Sequence, residues 1–168
     1  MLSTSTHVFS ELFYHLNWHS KGDLPQLQGS LEGAVHHFIE NYCDKTKGVQ
    51  FFGVGGTEDH VHLVIQAEPT IQLSEWLGRV KGASSHEMNK TQGRPALQWQ
   101  RGSGLVSFAR RDLPAVLRYV AHQREHHQKG TTNAVLEQCG TDMEKGSPQQ
   151  EQKDVPEEST EETGGQGS

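Results

Sequence analysis

The chain lacks most of what a membrane protein or a disulfide-built secreted domain needs. No apolar run approaches the ~20 residues required to cross a bilayer. The basic-then-apolar pattern of an export signal is missing from its start. Two cysteines, Cys43 and Cys139, make no disulfide framework, and a reducing, cytoplasmic setting is expected. Hydrophobic residues reach only 32% and mean hydropathy is −0.72. That is low for 168 residues folded end to end, so part of the chain is expected to be solvated.

Charge locates that part. Residues 1–130 carry 13 Lys/Arg and 12 Asp/Glu, a net of +1, whereas residues 131–168 carry 2 and 9, a net of −7. The expected organisation is one domain over 1–130 and an acidic, disordered tail over 131–168. The overall −6 belongs to the tail and does not exclude a nucleic-acid partner for the body.

Within the body the hydrophobic period changes several times. Tyr14 to His19 alternates as a half-buried strand does. Leu27, Leu31, Val35, Phe38, Ile39 and Tyr42 recur at helical spacing, with Gly48 as a stop. Val49–Val54 and His60–Ile65 read as strands joined by residues 55–59 in an antiparallel hairpin. Leu73, Trp76, Leu77 and Val80 mark a second helix with Thr70 as its cap, and Leu97–Gln100 resembles a strand. A last helix is expected from the cap Asp112, with Pro114 in its first turn, to about Gln128. The order β-α-β-β-α-β-α fits an α+β, ferredoxin-like split β-α-β fold. Its antiparallel sheet carries helices on one face, with a C-terminal tyrosine-bearing helix added.

Two patterns carry chemistry. In His60-Val61-His62 the imidazoles two apart on a strand share one face, while Val61, Leu63 and Ile65 face the core. Such a pair can bind one divalent cation, with Asp59 orienting a ring nitrogen from behind. The plain alternative is two solvent-facing histidines. On the last helix Leu113, Val116, Leu117, Val120 and Ala121 form an apolar stripe, and Tyr119, Gln123 and His126 lie together beside it. The plain alternative there is a tyrosine at the rim of the core. Residues 101–129 add Arg101, Arg110, Arg111, Arg118, Arg124 and Lys129 against Asp112 and Glu125, a surplus suited to a phosphate backbone or to a solvated helix face.

Four stretches taken together resemble a known family: residues 15–19, residues 55–65, Lys81-Gly82-Ala83-Ser84-Ser85, and Trp99 through Gly104 followed by Tyr119-Val120-Ala121-His122-Gln123. The chain is similar to the single-tyrosine HUH transposases of bacterial insertion sequences, the IS200-like class, over most of residues 7–130. It departs at Gly102-Ser103-Gly104, where relatives carry an aromatic between the glycines.

The resemblance implies that His60, His62 and Gln123 hold Mg²⁺ or Mn²⁺ and that Tyr119 is the catalytic nucleophile. It implies a 5′-phosphotyrosine, a free 3′-OH, single-stranded or hairpin DNA as substrate, and a homodimer. Ligand chemistry alone favours Mn²⁺ or Zn²⁺ over Mg²⁺. Lys81, Ser84, Ser85, Arg101, Arg110, Arg111 and Arg118 are the expected DNA contacts. Two other readings stand beside this one. The fold could serve as a hairpin-binding module without cleavage. It could also be a zinc hydrolase using His60, His62 and one of His122, His126 or His127, although no His-Glu-x-x-His run is present.

Overall fold

A computed structural model describes residues 9–140. Four strands form one antiparallel sheet: β1 (Phe13–His19), β2 (Val49–Gly56), β3 (His60–Ala67) and β4 (Gly104–Phe108), in the order β2-β3-β1-β4. α1 (Ser30–Lys45) links β1 to β2, and α2 (Leu73–Gln92) links β3 to β4. Each helix thus joins two parallel strands with one strand between them, the split β-α-β arrangement.

The strands are two-faced because side chains alternate. Leu16, Trp18, Val61, Leu63 and Ile65 point to one face, where Leu31, Val35 and Ile39 of α1 and Trp76, Leu77 and Val80 of α2 cover them. Fully burying such a side chain contributes about 1.5–3 kcal/mol. The opposite face holds a much smaller apolar cluster of Val64, Val116 and Val120. α3 (Leu113–Ala121) packs there, seated on β2. Gly55 makes that seat possible, because a Cβ at this position would stand 2.1 Å from the Val120 carbonyl oxygen.

Three local expectations change. The fourth strand lies at Gly104–Phe108 rather than 97–100; the earlier stretch makes only a Ser20–Trp99 bridge. The last helix breaks at His122 (φ −113°, ψ 29°), giving α3 and then α4 (Gln123–Lys129). At the break the His122 ring nitrogen Nδ1 bonds the Arg118 carbonyl at 2.8 Å, a local alternative to the helical ladder. Asp112 and Thr70 make no side-chain cap; α2 starts later, at Leu73.

Residues 131–140 do not leave the body where the composition changes. Leu136 is buried, the Gly140 amide donates to the Ser103 carbonyl, and the Gln138 carbonyl approaches Gly104 so closely that a Cβ there would meet it at 2.1 Å. The glycines around Ser103 therefore receive this returning segment. The acidic stretch from 141 onward lies outside the described residues.

Candidate active site

The site sits on the sheet face away from α1 and α2, between β1, β3, α3 and the returning segment. His60 and His62 share that face, as strand alternation requires, and both are buried, at 1% and 0% exposure. Asp59 Oδ1 accepts the His60 Nδ1–H at 2.6 Å and the Thr57 hydroxyl at 2.7 Å. The proton is thereby held on Nδ1, which leaves His60 Nε2 turned toward the site. His62 Nδ1 meets a different neighbour, His15 Nε2 on β1, at 2.7 Å.

Gln123 and Tyr119 arrive from the other side. Gln123, 1% exposed, places Oε1 3.4 Å from His60 Nε2. Its amide nitrogen donates to the Tyr119 carbonyl at 3.2 Å, a bond that spans the break between the two helices. Tyr119 is nearly buried, with its ring edge-on to His62 at 6.1 Å and against His126 at 4.7 Å. Its hydroxyl donates to Glu137 Oε1 and accepts the Asn133 amide at 2.9 Å.

Sequence reasoning missed Glu137. Composition placed it in a solvated tail, and a lone glutamate eighteen positions past the tyrosine carries no spacing signal. Glu137 Oε2 lies 3.5 Å from His62 Nε2, 3.6 Å from His127 Nε2 and 3.9 Å from His60 Nε2. One carboxylate therefore spans the phenol and the imidazole pair within a single chain.

Electrostatics follow from this packing. Burial pushes the Glu137 carboxyl up, but neighbouring His62, Tyr119 and His60 outweigh it and hold it at about 2. Burial and the adjacent carboxylate raise the Tyr119 phenol above its ordinary value. Burial lowers His62 despite Glu137, and lowers His15 to about 3 with help from His62. The site thus sets a carboxylate beside His62, an imidazole that burial disfavours charging.

His60, His62 and Glu137 place one donor atom each within 4.8 Å of one another, and the Gln123 oxygen adjoins His60. His62 Nε2 is buried and makes no hydrogen bond, as a free ligand lone pair would. The donor set fits a divalent cation. Glu137 also adds the anionic oxygen that the sequence reading lacked, and two imidazoles with one carboxylate suit Mn²⁺ and Zn²⁺.

The expected DNA contacts divide. Lys81 and Ser84 are buried. The Lys81 ammonium bonds the Arg101 carbonyl, the Gly102 carbonyl and Ser103 Oγ at 2.9–3.0 Å. Ser84 Oγ receives the Trp99 indole N–H at 3.0 Å and donates to the Lys81 carbonyl. Ser85 bonds the Gly82 carbonyl of its own helix. Lys81 and Ser84 thus hold the segment before β4. Arg110 pairs with Glu11 over the Phe13 ring, and Arg111 lies 3.8 Å from Asp112. Arg101 is exposed. Arg118 lines a cleft of about 560 Å³ with Tyr119, His122, Glu125, His126 and Lys129, where Lys129 pairs with Glu125.

A histidine pair, a glutamine, a carboxylate and a tyrosine thus meet on one sheet face of a ferredoxin-like domain. The family model described as "Transposase IS200 like" matches residues 8–123, and the chain belongs to that family of transposases. Solved structures share the fold. A candidate transposase from Deinococcus radiodurans R1 superposes with a TM-score of 0.58 at 17% identity, covering 71% of this chain and 95% of that one. A REP-associated tyrosine transposase bound to a REP hairpin superposes with a TM-score of 0.52 at 11% identity, covering 79% and 76%. No curated protein sequence matches the chain.

Proposed function

We propose that this transposase cleaves and rejoins single-stranded or hairpin DNA through a covalent phosphotyrosine on Tyr119. The observation that carries the reading is Glu137 spanning the Tyr119 hydroxyl and the Nε2 atoms of both His60 and His62. A nucleophile and a cation site that share one small anion are close enough to act on one phosphate. The hairpin-bound relative and Arg118 in the cleft beside Tyr119 support DNA as the substrate.

His60, His62 and Glu137 would hold the cation, with Gln123 completing the set. When bound, the cation supplies positive charge to the scissile phosphate and to the charge developing in the transition state. Tyr119 Oη attacks phosphorus as its proton passes to solvent water, the bond to the 3′ oxygen breaks, and that oxygen takes a proton from water and leaves as a 3′-OH. The phenol, having lost its proton, becomes the 5′-phosphotyrosine. Glu137 Oε1 receives the hydroxyl hydrogen beforehand and fixes the direction of the phenol. A 3′-OH from another strand reverses the step, with no other energy source needed, because the phosphodiester energy is kept in the tyrosine ester. That Tyr119, Glu137 and the histidine pair lie together in one chain supports a site formed without residues from a partner.

Incubation with Mn²⁺ and labelled hairpin DNA is expected to give a denaturation-resistant adduct. The adduct should be absent from Tyr119→Phe and strongly reduced in His60→Ala and His62→Ala. Hairpin binding with no adduct in the unaltered protein would leave only a binding module. Cleavage that survives Tyr119→Phe would replace the tyrosine with a hydrolytic mechanism.

A further inference from the structure

His15 is buried, pairs with a proposed ligand, and has no part in the chemistry described so far. It lies on β1 with Val64 and Val106 as its cross-strand neighbours, so its side chain enters the site face diagonally to His62. Its ring centroid is 4.9 Å from that of His62, and its Nε2 is 2.7 Å from His62 Nδ1. With 1% exposure, water does not stand in as its partner at the surface.

The polarity of this bond follows from the role of His62. A neutral imidazole has one N–H and one lone pair. To offer Nε2 to a cation, His62 must carry its proton on Nδ1, and a buried N–H needs an acceptor. The atom within reach is His15 Nε2; His15 then carries its own proton on Nδ1, a buried atom with no partner among the described residues, so the cation that fixes His62 must outweigh the cost of that unpaired N–H. His60 solves the same problem with the Asp59 carboxylate at 2.6 Å. The two ligands are therefore backed differently, one by an anion at the hairpin and one by a neutral ring in the sheet. A carboxylate in place of His15 would add a third negative group beside Glu137 in a buried site; an imidazole accepts the proton without adding charge.

We infer that His15 is the positioning residue of the cation site, accepting the Nδ1–H of His62 so that His62 Nε2 stays bare and aimed at the cation. This rests on the proposed metal reading of His60 and His62. It adds that β1, which supplies none of the proposed ligands, determines the tautomer and ring angle of one of them.

The test uses the full chain and metal alone, without DNA. Mn²⁺ affinity, read from the electron-spin signal of free Mn²⁺, is expected to fall about 10- to 100-fold in His15→Phe, the range seen when such supporting partners are lost. His15→Gln retains an acceptor near the same point and should recover most of the affinity. Unfolding curves establish that both variants fold. A measurement on the unaltered protein is independent of them: with Zn²⁺ bound, ¹⁵N ring spectra should show His62 protonated at Nδ1 and hydrogen-bonded to His15. Equal Mn²⁺ affinity in all three proteins, or a His62 Nδ1–H with no bond to His15, overturns the inference. If His60→Ala still weakens Mn²⁺ binding in that case, the metal reading survives and only the role of His15 falls. If the unaltered protein binds neither ion, both fall.

Discussion

At the scale of single residues, the site is costly to acidify. His15 is held at about 3 when folded, against an ordinary 6.5. Between those values the unfolded chain binds a proton that the folded chain refuses, so stability rises with pH. The contribution is complete above about pH 6.5 and is lost as pH falls toward 3, at about 1.4 kcal/mol per unit. His62 shifts in the same direction. Urea midpoints of the metal-free protein should therefore drop between pH 7 and 4.5, and His15→Phe should drop less steeply; equal slopes would mean that His15 is protonated in the fold. Lys81 gives a contrasting case. Its ammonium bonds two carbonyls and a hydroxyl in the interior. Lys81→Met should lower stability by about 1–3 kcal/mol or more while leaving hairpin affinity within a few-fold, measured by thermal unfolding and by titration of folded protein. A selective loss of hairpin affinity at unchanged stability would assign Lys81 to the DNA surface.

At the scale of elements, legibility followed the strength of the local pattern. His60-Val61-His62 was readable because a strand's period of two fixes which side chains share a face, and β3 shows both rings buried on one side. Tyr119 and Gln123 were readable as a pair, although the helix thought to carry both breaks between them; a side chain capping its own backbone leaves no trace in hydrophobic spacing. Glu137, Asn133 and Leu136 were not readable. Their contacts depend on a chain reversal that only three-dimensional packing specifies, and ten residues of unremarkable polarity look the same docked or free. The burial of Lys81 and Ser84 was not readable either, because a polar residue on a helix gives no sign of being buried unless its partners are known.

The seat of α3 makes a further element-scale prediction. Gly53 and Gly55 present bare backbone under the helix, and Leu117 and Val120 rest on them. Gly55→Ala forces the α3 backbone outward, since a carbonyl oxygen cannot yield as a side chain can. The expected cost is about 1–3 kcal/mol in stability, with a larger fractional loss of adduct than of Mn²⁺ binding, because Tyr119 moves while the histidine pair on β3 does not. Adduct formation and Mn²⁺ affinity falling together would place the damage in the sheet instead.

For the whole molecule, a site closed within one chain has a genetic signature. Mixing Tyr119→Phe with His60→Ala protein should give no adduct beyond that of either variant alone, whereas a site shared between subunits would recover activity in mixed dimers. The outcome is read on one denaturing gel. The same one-chain arrangement rests on unequal foundations. The apolar cluster under α1 and α2 holds eighteen buried residues among those described, and the cluster on the face bearing the site holds three, with Phe13 buried beside it. Amide hydrogens of α3 should therefore trade for deuterium well before those of α1 or of the β1–β3 pair. On the proposed mechanism, Tyr119 can lift away with α3 without disturbing the floor on which the histidines stand.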